Sequence, residues 1–372
     1  IINKNRQRKQ GLQMSNSALC TPHSAFIRVL LVDDSPVVLK ILKDMLSAFP
    51  DIHVVGTARD GREALELIPG LDPTVVCTDL HMPVMDGLEL TRAIMARYPR
   101  PILVISVSVE KGSVNVFKLL EAGAIEVVTK PRSDLNSRLQ TVTPEIVSKI
   151  RILAGVHVIR KPCMKTAVAI PSEKAHPSAT EKQMPVRIVA IGASTGGPQA
   201  LQTILSQLPS NFPLPVICVQ HIGDGFLEGL VDWLASQCKL KVRIAHTGIF
   251  PEPGTVYFPQ EGTHLKLSKR GNFVSASEPL FDGHRPSVSV TLQSVADYYG
   301  NAAIGILLTG MGRDGAEGMQ AISAEGGITI AQDEESCVVF GMPKAAIDLG
   351  VVKYVLSPHE IVGMLLQLQN VG

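Results

Sequence analysis

Residues 29–34 read Val29-Leu30-Leu31-Val32-Asp33-Asp34, four apolar side chains running straight into two carboxylates. An apolar run without polar alternation suits a strand buried on both faces, and such strands belong to parallel sheets covered by helices. Similar short runs occupy 26–32, 52–58, 74–78, 102–106 and 125–129. Amphipathic segments of helix length lie between them, among them 37–49, 88–98 and 113–122. Five such βα units predict a doubly wound, flavodoxin-like sheet of five parallel strands over residues 26–154.

Outward from this unit the pattern changes twice. Residues 155–185 carry Pro162, Pro171, Pro177 and Pro185 among Lys, Ser, Thr and Ala, and they lose apolar periodicity apart from short runs such as 156–159. That composition predicts an exposed, semi-extended interdomain linker. Strand-like runs resume at 187–191, and a second doubly wound α/β domain is expected over 186–372, closing with a helix near 358–369. Within it, 253–277 is rich in turn residues and reads as hairpins. Upstream, residues 1–25 open on a basic, polar run and read as a disordered or non-native extension, with Met14 as the expected start.

Composition bounds the function. At roughly 150 residues per domain, 372 residues suggest two or three domains. A net charge of +1 excludes a generally basic nucleic-acid binder, and 4% aromatics argue against base-stacking platforms. The six cysteines (Cys20, Cys77, Cys163, Cys218, Cys238 and Cys337) form no CxxC pair, so neither a disulfide framework nor a zinc site is indicated. A reducing, cytoplasmic setting is expected. No apolar stretch approaches the roughly 18–20 residues of a membrane span, so no membrane insertion is expected.

Strand ends carry the chemistry. Asp33 and Asp34 follow the first strand, Asp79 the third, Ser106 ends the fourth and Lys130 follows the fifth. In a parallel sheet all of these lie at the carboxyl edge, where α/β proteins place their sites. Three carboxylates there repel one another unless a cation intervenes, and oxygen donors of this kind suit Mg²⁺ bridging to a phosphoryl group. Singly, these residues read as turn formers, a surface charge and a strand cap. Together and in this order they favour a phosphoryl site.

Residues 27–153 resemble response-regulator receiver domains, through LLVDDSP (30–36), TDLHMPVMDGLEL (78–90), Ser106 and VVTKP (127–131). The resemblance implies Asp79 as phosphoryl acceptor and Ser106 and Lys130 as switch residues. It also implies Mg²⁺ held by Asp34, Asp79 and the backbone carbonyl of His81, with Asp33 acting mainly through water. A histidine kinase would be the phosphodonor.

The second domain opens with Gly192-Ala193-Ser194-Thr195-Gly196-Gly197-Pro198 between a strand and a helix over 199–208. This order suits a G-x-S-x-G nucleophile turn, whose small neighbours permit a strained backbone, with the helix N-terminus favouring developing negative charge. A phosphate-binding turn fits equally well at this point, although neither GxGxxG nor a Walker GxxxxGK is present. His221 ends the apolar run 214–220, and Asp314 sits in the glycine-rich turn after 303–309. Alone, His221 reads as a structural hydrogen-bonder and Asp314 as a helix cap. Ser, His and Asp at three strand ends supply a nucleophile, a base and a group that fixes the base's tautomer. The chain order Ser, His, Asp differs from the Ser, acid, His of α/β-hydrolases and argues against an ordinary lipase or esterase.

Residues 186–372 resemble the catalytic domain of the chemotaxis protein-glutamate methylesterases, the CheB family. The carrying strings are IGASTGGPQAL (191–201), VICVQHI (216–222), HRPSV (284–288), ILLTGMGRDGAEGM (306–319) and IAQDEESCVVFGMPKAAIDLG (330–350). The resemblance implies Ser194 as nucleophile, His221 as base then acid, Asp314 as its orienter, and backbone N–H groups near Met311 and Thr195 as oxyanion donors. The substrate would be a glutamyl methyl ester on a chemoreceptor, with receptor glutamine deamidated by the same chemistry. The receiver would cover the esterase mouth until Asp79 is phosphorylated. Ser289 stands where the family usually has an acidic residue, and Gly223 replaces a common proline. The rival reading is a non-enzymatic response regulator whose second half binds a protein. DNA as the partner is disfavoured, because residues 186–372 carry 11 Lys and Arg against 16 Asp and Glu.

Overall fold

A computed structural model describes residues 26–106, 115–131, 136–156, 158 and 186–367. The expected extension at 1–25 and most of the expected linker lie outside the described residues. In the first domain β1 (Ile27–Val32), α1 (Pro36–Ser47), β2 (Ile52–Ala58), α2 (Gly61–Leu71), β3 (Val75–Thr78) and α3 (Gly87–Arg97) alternate in order. β4 (Ile102–Ser106), α4 (Asn115–Ala122), β5 (Glu126–Thr129) and α5 (Asn136–Ala154) complete it. The strands are all parallel, in the order β2-β1-β3-β4-β5.

Local chemistry fixes where the acids fall. Ser35 caps α1 by accepting the Val38 N–H, and Pro36 opens the helix where its missing donor costs nothing. Only Asp33 and Asp34 remain between strand and cap, so both are held at the sheet edge. Asp86 caps α3 by accepting the Glu89 N–H, which hangs the loop after Asp79 over the same edge.

The second domain runs β6 (Ile188–Ala193), α6 (Gly197–Leu205), β7 (Val216–Gln220), α7 (Leu227–Gln237), β8 (Lys241–Ile244) and β9 (Thr255–Phe258). The hairpin β10 (His264–Leu267) and β11 (Phe273–Ala276) comes next, followed by α8 (Val288–Tyr299), β12 (Ala303–Leu307) and α9 (Ala316–Ala324). β13 (Ile328–Gln332), α10 (Met342–Asp348), β14 (Tyr354–Leu356) and α11 (Pro358–Gln367) close the fold. Seven parallel strands form the sheet β14-β13-β12-β6-β7-β9-β8. The interval expected to be hairpins holds only one. β9, four buried residues with no polar alternation, instead enters the main sheet between β7 and β8.

One apolar cluster runs from the receiver into the second domain. Phe117 on α4 and Trp233 on α7 are both buried and stack at 5.6 Å, and Trp233 Nε1 donates to Glu121 Oε1 at 2.6 Å. Fully burying a side chain of the size of Phe117 contributes roughly 1.5–3 kcal/mol, so this contact is a substantial fastening between the domains.

Candidate active site

β6 is the strand at which the chain order reverses, with β7 on one side and β12 on the other. Ligands of open α/β sheets bind outside the strand ends at such a point. Ser194 follows β6 directly. Ala193 pairs with Gln220, the His221 N–H donates to the Ala193 carbonyl at 3.0 Å, and the Ser194 N–H donates to the Thr309 carbonyl at 3.0 Å. Neighbouring strands lie roughly 4.8 Å apart, so Ser194 sits between His221 and Thr309 by sheet geometry alone.

The turn after β6 places its left-handed residue on a glycine. Ser194 is absent from the left-handed region, and Gly196 takes the turn instead, with φ of 77°. Glycine adopts that conformation at little steric cost. Gly197 answers a different need, since a Cβ there would run into Gln220 Oε1. Gln220 itself escaped the sequence reading. Buried at the end of β7, its Nε2 donates to the carbonyls of Ser194 and His221, both at 2.8 Å, and so ties the two strand ends together. A polar residue closing an otherwise apolar run was the available signal.

Asp314 lies on the loop after β12 and crosses β6 to reach the base. His221 Nε2 and Asp314 Oδ2 are 2.9 Å apart. Three further donors hold the same carboxylate: Ser287 Oγ at 2.8 Å, Val288 N–H at 2.7 Å and Ser289 N–H at 2.9 Å. Burial pushes this carboxyl up, but the His221 hydrogen bond and the N-terminal amides of α8 outweigh it and hold Asp314 well below the usual carboxylate range. Asp314 is therefore an ion that accepts the first amides of α8, and the position capping the helix after it, α9, is Gly315. Ser289 also accepts the Gly315 N–H at 2.7 Å, so it steadies the Asp314 turn without an acidic side chain.

With Nε2 committed to Asp314, the nitrogen left for a serine proton is Nδ1, which is buried and has no hydrogen-bond partner. The His284 ring lies flat on His221, with centroids 3.9 Å apart and planes 7° apart. Thr195 is buried and Met311 is half exposed. Neither backbone N–H takes a protein acceptor among the described residues, which leaves both available to an oxyanion.

The receiver edge gathers the other predicted group. Lys130 Nζ lies 2.7 Å from Asp33 Oδ2 and 2.8 Å from Asp79 Oδ2. Asp33, Asp34 and Asp79 each offer a carboxylate oxygen within 4.8 Å of the others, a set of hard donors that fits a divalent cation. Burial opposes the charge on Lys130, yet hydrogen bonds to Asp33 and Asp79 keep its pKa above the ordinary value. Burial is the larger influence on Asp33 and raises its carboxyl despite Lys130. Ser106 is buried at the end of β4, and its carbonyl accepts the Lys130 N–H at 2.7 Å. His81 is exposed two residues beyond Asp79, and its carbonyl enters the ligand set from the resemblance alone.

Receiver and candidate active site touch. Lys149 on α5 bonds Glu126 Oε2 at 2.7 Å and reaches across to Thr195 Oγ1 at 2.9 Å, one residue from Ser194. Gln199 Nε2 donates to the Ala124 carbonyl at 2.8 Å, and Thr129 Oγ1 to the Asp224 carbonyl at 3.4 Å. Met311 lines a cleft whose far wall is α5, at Val147, Arg151 and Ile152. Nothing in the chain singles out Lys149, which looks like any charged position on an amphipathic helix.

Comparison with known proteins bears on both halves. Residues 189–365 match the CheB methylesterase family, and residues 29–140 match the response regulator receiver domain. A protein-glutamate methylesterase/protein-glutamine glutaminase of Nitrosospira multiformis is 39% identical over 343 residues, 92% of this chain and 97% of the relative. The chain belongs to this family. Another member, from Methanospirillum hungatei, is 40% identical over 345 residues, 92% of this chain and 99% of the relative. The crystal structure of the Thermotoga maritima CheB methylesterase catalytic domain is 40% identical, covers 50% of this chain and all of its own, and has a TM-score of 0.48. Both family models match this one chain, so the two sheet edges belong to a protein that carries a receiver and a methylesterase domain. Among the described residues no helix is long and apolar enough to cross a membrane.

Proposed function

We propose that this chain hydrolyses glutamyl methyl esters on chemoreceptors, and deamidates receptor glutamine by the same route, under control of phosphorylation at Asp79. The domains would be a receiver at 26–154, a linker at 155–185 and an esterase at 186–372. The observation that carries the reading is the Asp314–His221 pair at 2.9 Å beside Ser194, in a chain of this family.

Ser194 Oγ would attack the ester carbonyl as His221 Nδ1 takes its proton. The tetrahedral oxyanion would be met by the N–H groups of Thr195 and Met311. Collapse breaks the C–O bond, and His221 returns the proton to the leaving methoxide, releasing methanol. Water then attacks the acyl-enzyme with His221 again as base, which restores Ser194 and leaves glutamate. With glutamine as substrate the leaving group is ammonia. Asp314 stays ionised throughout and stabilises the imidazolium that forms twice in each cycle.

In the receiver, Asp79 would accept the phosphoryl group from a histidine kinase. Asp33, Asp34 and Asp79 would hold a Mg²⁺ ion, which when bound offsets the charge of the incoming phosphoryl group. Added charge at Asp79 competes for Lys130 and Ser106, at the ends of β5 and β4, and these strands lead into the α4 and α5 surfaces that meet the esterase. Lys149 on Thr195 is the contact that most directly occupies the neighbourhood of Ser194.

The decisive assay is methanol release from methylated receptor membranes, with and without a small phosphodonor. Wild type should release methanol and respond to the donor, Ser194→Ala should release none, and Asp79→Asn should lose the response. Undiminished release by Ser194→Ala would remove the nucleophile and the reading with it.

A further inference from the structure

His221 has one firm anchor, its Nε2 bond to Asp314. A single hydrogen bond holds one edge of an imidazole but leaves the ring plane loosely set, because rotation about the bond from Cβ to the ring is broad. Where Nδ1 points depends on that plane. The ring of His284 lies against His221 at 3.9 Å and 7°, a face-to-face contact that resists such rotation.

The segment presenting His284 is itself firmly built. Phe281 and His284 exchange two backbone hydrogen bonds, at 3.1 Å and 2.9 Å, around Asp282 and Gly283, both with positive φ. Two left-handed central residues, Asp then Gly, are the pattern of a tight hairpin turn. Buried His264 stitches the ends of this segment, with Nε2 3.0 Å from the Pro279 carbonyl and Nδ1 accepting the Ser287 N–H at 3.1 Å. Ser287 in turn donates to Asp314. One short stretch, 279–287, therefore reaches the base from its face and the acid from its side.

We propose that His284 is a positioning residue for acyl transfer: its ring fixes the plane of His221 and so directs Nδ1 to the Ser194 proton. The inference rests on the reading of Ser194, His221 and Asp314 given above.

Charge supports the arrangement. Burial is the main influence lowering the pKa of His284, to about 4; His221 and Lys149 push the same way, and Asp314 and Asp282 push back. His284 is thus uncharged at neutral pH. A neutral aromatic face beside His221 favours the imidazolium formed when Ser194 gives up its proton, whereas a second imidazolium would oppose it.

The test compares full-length His284→Ala, His284→Phe and His284→Leu with wild type, in methanol release from methylated receptor membranes with phosphodonor present. Thermal unfolding is measured for each. Misaligned catalytic groups cost roughly 10–100-fold, so His284→Ala should lose about that much in kcat with little change in KM. His284→Phe, which restores a flat face without nitrogen, should recover to within a few-fold of wild type. His284→Leu fills the space without a flat face and should stay low. The Phe-to-Leu contrast decides the matter even if the alanine variant is poorly folded. Equal rates for Phe and Leu, or wild-type kcat in His284→Ala, would overturn the proposal. A wild-type chain that releases no methanol would instead overturn the esterase reading itself.

Discussion

At the receiver edge one ammonium sits on two carboxylates, Lys130 within 2.8 Å of both Asp33 and Asp79. At the esterase edge one carboxylate, Asp314, gathers His221, Ser287 and two backbone amides, and the serine beside them carries no charge. Both edges lie at the switch point of a parallel sheet, so topology does not separate them. What separates them is how charge is balanced. The receiver places opposite charges side by side at positions next to strands, an arrangement that an added phosphoryl group must disturb. The esterase holds its single ion by fixed donors, so a proton can move between serine and imidazole while the carboxylate stays ionised. On the proposed function, the first site would change state and the second would remain the same through each turnover.

The sharpest break between the edges comes from Ser194→Ala. Methanol release should fall on the order of 10⁴–10⁶-fold, while phosphoryl uptake at Asp79, followed with a labelled phosphodonor, stays at the wild-type level. Asp314→Asn should lower kcat by about 10⁴-fold, because an amide favours the wrong imidazole tautomer. It should also lower the thermal midpoint, since an amide NH₂ would face donors that now meet a carboxylate; a kcat within tenfold of wild type would show that Asp314 does not orient the base.

Lys149→Met probes the point where the two edges communicate. A hydrogen bond to a charged group contributes roughly 1.5 kcal/mol, so freeing Thr195 should raise methanol release by the unphosphorylated chain about tenfold. Glu126 would be left buried without its cation, at a cost of about 3 kcal/mol, and the receiver should unfold earlier on heating. An unchanged basal rate would mean that the contact does not restrain the esterase.

The smallest effect concerns pH. His284 has its folded pKa depressed from 6.5 to about 4, so the unfolded chain binds more protons between those values. Its contribution to stability is complete above pH 6.5 and is lost as pH falls toward 4. Denaturant midpoints measured over that window should fall less steeply for His284→Phe than for wild type. Parallel slopes would show that His284 does not titrate in the folded protein as its surroundings dictate.

Much of this was legible in the chain because it is local. Val29–Val32 ends in Asp33 and Asp34 whatever the rest of the protein does, and Ser35 and Pro36 start a helix immediately after. The Gly-rich turn after β6 likewise announces itself, and the residue there with positive φ is Gly196. Non-local features were hidden. Thr255–Phe258 reads as part of a hairpin region because its turn-rich flanks outweigh three hydrophobic residues, and only pairing with β7 and β8 reveals it as a sheet strand. Gln220, His264, His284 and Lys149 act through partners from 1 to 63 positions away, the longest from His284 to His221, and no spacing rule connects them.

The sequence by itself determined the two parallel sheets and the residues at their carboxyl edges, since apolar runs and strand-end polar groups follow from a few consecutive side chains. Only the tertiary structure decided that Nδ1 is the His221 nitrogen without a partner, that His284 covers the His221 ring, and that a receiver lysine touches the residue next to Ser194. The orientation of a ring and the partner of a buried charge are set by contacts among segments that meet only when both domains are packed.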